Sequence, residues 1–338
     1  MVLDDVARQT RRKRQRRRRP LRAAALDLGT NNCRLLIASS APGGNLRIVD
    51  SFSRIVRLGE GVAQTGELSP AAIERTIAAL KICAEHILAS GVRRTRAIAT
   101  EACRRASNAH VLLQRARDEA GIELSIVTVE EEARLAALGC APLIDPEAEG
   151  GLVFDIGGGS SEVIWMRRAP NGAPIVAAAA SASVGVVTLS EHWADQVTDR
   201  AGYARMREAM IARFRPIRED MERMAPFNPA THHLLGTSGT VTTLAGIAMG
   251  LAHYNRAKVD ASWHRCADIL AVVDRIVALD LAGRAALGCV GADRADLIVP
   301  GCAIFSALVD LWPCSRLRVA DRGLREGILR ELLAGAVP

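Results

Sequence analysis

The sequence predicts an α/β protein with two domains around a central cleft. Two stretches, residues 23–39 and 152–165, share one pattern, in which an apolar strand enters a short Asp-x-Gly turn and a second apolar strand leaves it. Strand and helix patterns alternate after each copy, as is typical of layered α/β domains. A chain of 338 residues also exceeds the size at which one hydrophobic core usually stops growing.

The two Asp-x-Gly turns are the segments DLGTNN (residues 27–32) and DIGGGSSE (residues 155–162). Their aspartates are 128 positions apart, which is about one domain length. The simplest explanation is a pair of related domains, each of which opens with its own hairpin. Two turns at corresponding positions can face each other across a cleft.

Between the two copies, the patterns predict a helix at 69–90, a strand at 96–98, a helix at 109–120 and a strand at 122–127. The first helix begins at Ser69 and Pro70, a typical N-cap and first-turn pair. The segment TVEE (128–131) matches a capping box and begins another helix, with Thr128 as the N-cap and Glu131 as the third helical residue.

After the second copy, the elements alternate in the same way. The patterns predict a long amphipathic helix at 199–224, a strand at 233–235, a helix opened by GTSGT (236–240), a helix at 300–311 and a strand at 318–320. A turn at 321–323 then leads into a last helix, which carries Leu324, Ile328 and Leu332 on one face.

The net charge of +7 comes from the N-terminus. Residues 1–22 carry ten basic and two acidic side chains, a net of +8, so the rest of the chain sums to −1. We expect residues 1–21 to form a disordered basic tail, because so polar a segment cannot bury enough apolar surface to fold. Three interpretations of the tail stay open: a solvated extension, a non-specific polyanion tether and a targeting element. The near-neutral body predicts no specific nucleic-acid binding.

The composition predicts a cytoplasmic protein without a membrane span. The sequence has no run of 18 apolar residues, and no apolar segment follows the basic stretch as it would in a secretory signal. The eight cysteines include no C-x-x-C pair, which favours free thiols in a reducing compartment over disulfides or a zinc site.

The two Asp-x-Gly turns suit phosphate groups. Each presents backbone N–H groups and short polar side chains at its tip, and its glycines permit a close approach. The acidic residues Asp27, Asp155 and Glu162 lie where a Mg²⁺ ion on those phosphates would be needed. The alternative is that the two aspartates only stabilise their own turns and that Glu162 faces solvent.

Hydrolysis also needs a group that orients or deprotonates water. Three glutamates at 130–132 begin a helix just before the second copy, near the expected hinge, and the pattern alone does not choose between them. In the segment 100–108, Arg104 and Arg105 follow a strand, and arginine suits bidentate contacts with phosphate. A surface salt bridge is the alternative explanation for either arginine.

Taken in order, these motifs resemble the exopolyphosphatase and guanosine pentaphosphate phosphohydrolase (Ppx/GppA) family of the actin-like superfamily. The matching stretches are residues 26–35, 58–62, 65–69, 99–108, 131–135, 155–162, 236–240, 299–301 and 321–327. The resemblance is to the short form, without the HD-like C-terminal domain of the longer members. The basic tail matches nothing in the family pattern, and Thr128-Val129 replaces the Ser-Gly that often precedes the acidic pair.

The resemblance implies two actin-like (ribonuclease H-like) domains around the cleft. Domain I would comprise residues 22–136 and about 323–338, and domain II residues 137–322. Glu132 would be the base that activates water, and Arg104 a phosphate ligand. The residues implied to bind substrate are Gly29, Thr30, Asn31, Asn32, Gly157, Gly158, Gly159, Ser160, Ser161 and Gly239. Those implied to hold Mg²⁺ or another divalent cation are Asp155 and Glu162, with Asp27 contributing.

The implied activity is the release of terminal phosphate from inorganic polyphosphate, from guanosine pentaphosphate or from both. The resemblance also allows a homodimer. Two alternatives stay open. One is an ATP-dependent kinase or ATPase of the same fold, in which residues 236–240 serve an adenosine pocket. The other is a non-catalytic protein that binds guanosine alarmones or polyphosphate.

Overall fold

The computed structural model describes residues 21–41, 45–193, 200–224 and 226–334. These ranges contain two β-sheets, the helices that cover them and a cavity between them. Of the predicted basic tail, all but residue 21 falls outside the described residues. Among the described helices, none combines the length and the apolar character that a membrane span requires.

The first sheet has five strands in the order β3-β2-β1-β4-β5. They are β1 (Arg22–Leu28), β2 (Asn32–Ser40), β3 (Leu46–Ile55), β4 (Arg94–Ala99) and β5 (Leu124–Ile126). The first three strands form an antiparallel meander, and β4 and β5 continue the sheet parallel to β1. The predicted strands at 96–98 and 122–127 are both present, with shifted ends.

The second sheet has six strands in the order β10-β11-β9-β6-β7-β8. They are β6 (Gly150–Ile156), β7 (Ser161–Arg168), β8 (Pro174–Ala182), β9 (His232–Thr237), β10 (Trp263–Arg265) and β11 (Arg316–Ala320). Five of these strands repeat the order of the first sheet: β8-β7-β6-β9-β11 corresponds to β3-β2-β1-β4-β5. The sixth strand, β10, is added at the edge beside β11. The repeat that the two Asp-x-Gly turns predicted is therefore present in the topology.

Helices cover both sheets. Those of the first half are α1 (Val62–Thr65), α2 (Pro70–Ala89), α3 (Glu101–Arg105), α4 (Ala109–Ala120) and α5 (Val129–Cys140). Those of the second half are α6 (Val186–Trp193), α7 (Arg200–Met224), α8 (Ser238–Ala248), α9 (Arg256–Val259), α10 (Cys266–Val277), α11 (Leu281–Ala286), α12 (Ile298–Leu311) and α13 (Leu324–Leu333). Short 3₁₀ turns lie at Ala141–Leu143 and Ala292–Arg294.

Both predicted N-caps are present, but the predicted capping box is only half formed. Ser69 caps α2 as predicted. Thr128 Oγ1 accepts a hydrogen bond from the Glu131 N–H (3.2 Å) and caps α5. The reciprocal half of the predicted capping box is not formed, because the Glu131 carboxylate accepts hydrogen bonds from Arg96 (2.7 Å) and Arg134 (2.8 Å) instead.

Helix α5 joins the two halves of the molecule. Ala133 and Ala137 on one face pack with Val153 of the second sheet. Leu135, on another face, packs with Ile328 of α13 and with residues of the first sheet. The packing of α13 on the first sheet is what a discontinuous domain I requires, and the exact domain boundaries stay a prediction. The first turn of α5 thus lies where the two halves meet.

Two glycines allow α5 and α13 to touch. A Cβ at Gly327 of α13 would overlap the carbonyl oxygen of Leu135, and a Cβ at Gly139 of α5 would overlap the carbonyl oxygen of Gly323. The atoms met are backbone atoms, which cannot move aside as the end of a flexible side chain could. The close crossing of the two helices therefore requires glycine at both positions.

We predict that Gly327→Ala lowers the free energy of unfolding by about 1–3 kcal/mol, the usual cost of overpacking. Alanine inside a helix normally stabilises a protein by about 0.5–1 kcal/mol relative to glycine, so the expected sign is the reverse of the ordinary one. Urea denaturation followed by circular dichroism measures the change. A variant as stable as the wild type, or more stable, would contradict the close crossing.

Candidate active site

A cavity of about 830 Å³ lies between the two sheets, and both Asp-x-Gly turns line it. The turns are closed in the same way. The Gly29 N–H donates to the Asn32 carbonyl (2.9 Å), and the Gly157 N–H donates to the Ser160 carbonyl (3.0 Å). The two donors, Gly29 and Gly157, are 128 positions apart, and so are the two acceptors, Asn32 and Ser160. The two aspartates have the same spacing, so the sequence repeat is also a repeat of turn geometry.

The two turns touch each other across the cavity. A Cβ at Gly158 would lie 3.1 Å from the Asn31 nitrogen, and a Cβ at Gly159 would lie 2.5 Å from Thr30 Oγ1. Side chains at these positions would push the turns apart, so the two glycines permit the approach. Asn31 Oδ1 is buried there without a hydrogen-bond partner among the described residues.

Four carboxylates that are buried or half-buried line the same cavity: Asp27, Glu132, Asp155 and Glu162. The two aspartates are at corresponding positions of β1 and β6, one residue before the end of each strand. Glu162 is directly opposite Asp155 in the antiparallel pair of β6 and β7, so both side chains lie on one face of the sheet. Glu132 comes from the first turn of α5.

Burial raises the pKa of each of these carboxyls. It raises the pKa of Asp155 to about 6 and that of Glu132 to about 7. The pKa values of Asp27 and Glu162 also lie above their ordinary values, with burial as the main cause. At Glu132, Arg104 opposes the rise in pKa, and the charges of the two aspartates add to it. A carboxyl with a pKa near neutrality can take up or release a proton at physiological pH.

The structure separates the three glutamates that the sequence pattern left equivalent. Glu132 lines the cavity. Glu131 is turned away from it and pairs with Arg96 and Arg134, and Glu130 is exposed. Among the three, Glu132 is therefore the one whose carboxylate can reach a ligand between the two turns.

Arg104 holds Glu132 and does not itself line the cavity. Its Nη1 donates to Glu132 Oε2 (2.7 Å) and to the carbonyl of Val127 (3.0 Å). Its Nε and Nη2 donate to Glu101 Oε2, at 3.2 and 3.0 Å. Because the guanidinium is so fully engaged within the protein, the role of Arg104 as a phosphate ligand stays a prediction.

The cavity includes most of the residues implied to bind substrate. Those that line it are Gly29, Thr30, Asn31, Asn32, Gly157, Gly158, Gly159, Ser160 and Gly239. Ser161 is not among the lining residues. Its side chain is fully buried, and its Oγ donates to the carbonyl of Val184 (2.8 Å), so its observed contact stabilises the second turn from behind.

Four cationic residues that the sequence motifs did not indicate also line the cavity: Arg34, Arg54, Arg57 and Arg294. Arg34 lies opposite Asp27 in the hairpin of β1 and β2, as Glu162 lies opposite Asp155. The 128-residue offset maps Arg34 onto Glu162, so extending the repeat from the turns to the whole hairpins would have found it.

Arg34 and Arg294 approach each other at the N-terminus of α8. The Arg34 Nη2 and Arg294 Nη1 atoms lie 4.0 and 3.8 Å from the place where a Cβ on Gly239 would be. Burial lowers the pKa of Arg294, and the charge of Arg34 adds to this effect. The cavity therefore holds cations beside its carboxylates, and Arg34 opposes the effect of burial on the pKa of Asp27 and Asp155. Arg294 ends the 3₁₀ turn Ala292–Arg294, far from Arg34 in the sequence, and no local pattern in the sequence indicates its position.

The carboxylates of the cavity fit a divalent cation that keeps part of its water shell. In the part of the chain that the structure describes, no three His, Cys, Asp or Glu side chains form a metal cage by themselves. Mg²⁺ commonly binds through one or two carboxylates, with waters and substrate phosphates as the other ligands. Buried carboxylates with raised pKa values are the donors that such an ion would stabilise in their charged form.

We predict that removing the Glu132 carboxylate weakens the pH dependence of stability. A carboxyl with its pKa raised from 4.5 to about 7 binds its proton more tightly in the folded state, so stability falls as the pH rises through this window. Glu132→Gln cannot titrate. The fall in the free energy of unfolding between about pH 5 and pH 8 should therefore shrink by about 1–3 kcal/mol.

Urea denaturation at the two pH values, with EDTA to remove metal ions, measures this difference. The control is Glu123→Gln, which removes a glutamate whose side chain is 81% exposed and should leave the pH dependence unchanged. A fall in stability as large in Glu132→Gln as in the wild type would contradict the raised pKa of Glu132.

Comparisons with known proteins agree over nearly the whole chain. Residues 36–335 match the model of the Ppx/GppA phosphatase family. Exopolyphosphatase 2 of Mycobacterium tuberculosis is 34% identical over 328 residues, which cover 92% of this chain and 98% of that protein. Exopolyphosphatase 1 of Mycobacterium bovis is 30% identical over 318 residues, which cover 92% of this chain and 88% of that protein.

Solved structures show the same architecture. The crystal structure of the Aquifex aeolicus member of the Ppx/GppA family superposes with a TM-score of 0.76 at 30% identity and covers 93% of this chain and 98% of that one. An exopolyphosphatase from Cytophaga hutchinsonii superposes with a TM-score of 0.82 at 24% identity, over 93% of this chain and 98% of that one, and so shares the fold. The prediction of two actin-like domains is confirmed, and the chain belongs to the Ppx/GppA phosphatase family.

Proposed function

We propose that the protein hydrolyses the terminal phosphoanhydride bond of inorganic polyphosphate in the cavity between the two Asp-x-Gly turns. The observation that carries the proposal is the position of Glu132, whose carboxylate lines the same cavity as both turns. A pKa of about 7, raised by burial, suits a general base at neutral pH. The similar mycobacterial proteins are named exopolyphosphatases, which agrees with this substrate class.

The two turns would bind the terminal phosphate. Backbone N–H groups of glycine-rich turns form concave anion sites, and the side chains of Thr30, Asn31, Asn32 and Ser160 add donors around the same space. Donors that are already held in place stabilise the charge on the phosphate oxygens without rearrangement during the reaction. Binding by both turns would also orient the terminal phosphorus relative to Glu132.

The reaction would be a single displacement by water. Glu132 takes a proton from the water as the water oxygen forms a bond to the terminal phosphorus. The bond between that phosphorus and the bridging oxygen breaks, and its electron pair stays with the shortened chain. The products are inorganic phosphate and a polyphosphate one unit shorter. Positioning and charge stabilisation dominate such phosphoryl transfers.

We also propose that Mg²⁺, or another divalent cation, binds at Asp155 and Glu162, with Asp27 contributing. The support is that all three carboxyls line the cavity and that burial raises the pKa of each, so a bound cation would stabilise their charged form. A bound Mg²⁺ ion would neutralise charge on the phosphate oxygens.

Guanosine pentaphosphate is a second proposed substrate. A cavity of about 830 Å³ is large enough for a nucleotide, and its wall includes the apolar side chains of Val290, Leu297 and Ile298, against which a nucleoside can pack. Its phosphates would occupy the same two turns. A phosphate-release assay on both substrates side by side decides between them.

Three further proposals concern the rest of the molecule. A cytoplasmic location is supported by the cysteines, all eight of which are free and seven of which are buried. The basic tail would act as a polyanion tether on the strength of its charge. A homodimer is proposed on the family resemblance alone, and sedimentation would test it.

We predict that the purified protein releases phosphate from polyphosphate with Mg²⁺ present, and that Glu132→Ala lowers the rate by about 10²–10⁴-fold, the usual contribution of a general base. Polyphosphate binding should be retained, because the two turns are unchanged. The matched control is Glu131→Ala, which removes a neighbouring carboxylate that points away from the cavity and should keep most of the activity.

An intact rate in Glu132→Ala would contradict the mechanism. Turnover of ATP much faster than cleavage of polyphosphate would favour the kinase or ATPase alternative. Tight binding without phosphate release under several divalent metals would favour the non-catalytic alternative.

We predict that EDTA abolishes phosphate release and that added Mg²⁺ restores it. Asp155→Asn should raise the Mg²⁺ concentration needed for half-maximal activity, because it removes one anionic ligand. Isothermal titration with Mg²⁺ alone provides a readout that is independent of turnover. Full activity in EDTA, or unchanged Mg²⁺ binding in Asp155→Asn, would contradict the proposed metal site.

We predict that deletion of residues 1–20 weakens polyphosphate binding at low salt and has little effect at high salt. Salt screens the attraction between a solvated basic segment and a polyanion. The rate at saturating polyphosphate should be unchanged, because the cavity is intact. A deletion that leaves low-salt binding unchanged would contradict the tether.

A further inference from the structure

Glu101 is an acidic residue buried next to a proposed polyanion site. It is the first residue of α3, directly after β4 and Thr100, and the whole residue is buried. A Cβ at Gly159 of the second turn would lie 3.1 Å from Glu101 Cγ, so the glutamate lies against the place where the two turns meet. A carboxylate there would repel phosphate and would destabilise the fold unless a cation neutralises it.

Arg104 is that cation, and it connects Glu101 to Glu132. Its Nε and Nη2 donate to Glu101 Oε2 at 3.2 and 3.0 Å, and its Nη1 donates to Glu132 Oε2 at 2.7 Å. The guanidinium is planar and rigid, so holding its Nε edge also fixes the direction of Nη1. All three side chains are largely buried, with exposed fractions of 8% for Glu101, 15% for Arg104 and 14% for Glu132.

We propose that Glu101 is a positioning residue for the hydrolysis proposed above, on which this inference rests. Glu101 holds the Arg104 guanidinium in the orientation from which Nη1 fixes the Glu132 carboxylate. Since Arg104 takes Oε2 of Glu132, Oε1 is the oxygen presented to the attacking water. Glu101 touches neither water nor phosphate in this role and acts through Arg104.

A salt bridge that only stabilised α3 would need neither burial nor a connection to α5. The exposed pair of Arg117 and Glu123, for example, links two charges at the surface, with exposed fractions of 69% and 81%. The pair of Glu101 and Arg104 is buried and continues from α3 to Glu132 on α5. Because removing charges from water costs free energy, an isolated buried ion pair adds little stability. We therefore assign this pair the role of fixing the position of Glu132.

The test compares Glu101→Gln, which keeps the shape and removes the charge, with Glu101→Asp, which keeps the charge. Steady-state phosphate release from polyphosphate gives kcat and KM, and equilibrium binding of polyphosphate is measured separately. Glu101→Gln should lower kcat by about 10–100-fold, since misplacement of a catalytic group by about 1 Å can cost that much. KM and binding should change little, and Glu101→Asp should lose less activity. The control, Glu123→Gln, should behave like the wild type.

A double-mutant cycle shows whether Glu101 acts through Arg104. Arg104→Lys keeps the charge but lacks the planar fork, so it should lower kcat by itself. In the Arg104→Lys background, the additional change Glu101→Gln should lower kcat little further, because the connection from Glu101 to Glu132 is already lost. Circular dichroism confirms folding of each variant, and if Glu101→Gln does not fold, Glu101→Asp replaces it in the cycle.

Three results would overturn the proposal: an unchanged kcat in Glu101→Gln, a loss confined to KM and binding, or an equal loss in both Arg104 backgrounds. The state of the wild type separates this inference from the proposed function. A wild type that releases no phosphate from polyphosphate would refute both. An active wild type with any of the three results would refute the role of Glu101 alone.

Discussion

The crossing of α5 and α13 is the contact on which the rest of the site depends. Backbone meets backbone there, because Gly139 and Gly327 carry no side chains that would separate the helices. α5 packs on the second sheet and α13 on the first, so this contact helps to join the two halves. The first turn of α5 carries Glu132. The crossing that joins the halves therefore also places Glu132 in the cavity between the two turns.

Burial then determines the chemistry of the cavity. Carboxylates removed from water near one another hold their protons more tightly, and this brings the pKa of Glu132 to about 7. Arg104 opposes this rise in pKa and fixes one Glu132 oxygen, so a single guanidinium affects both the acidity and the orientation of the proposed base. Arg34 and Arg294 add positive charge to the same space, which both domains line.

Local and repeated features were predictable from the sequence. The two hairpins, the cap at Thr128 and the 128-residue offset are all patterns within short segments, and the topology agrees with them. The same offset, extended from the turns to the whole hairpins, also contains the position of Arg34. Arg294 and Glu101 were not predictable in this way, because distant parts of the chain bring them to the cavity or to the residue that holds Glu132. The orientation of Arg104, toward two glutamates, likewise depends on how α3 meets α5.

The central claim is that a polyphosphate end is held between the two turns with Glu132 facing its terminal phosphorus. A crystal structure of the Glu132→Ala variant with a bound short polyphosphate and Mg²⁺ tests it most directly. We expect a terminal phosphate between residues 29–32 and 157–160, with its outer face toward position 132. A polyphosphate bound elsewhere on the molecule, with the space between the turns unoccupied, would show that the turns are not the binding site.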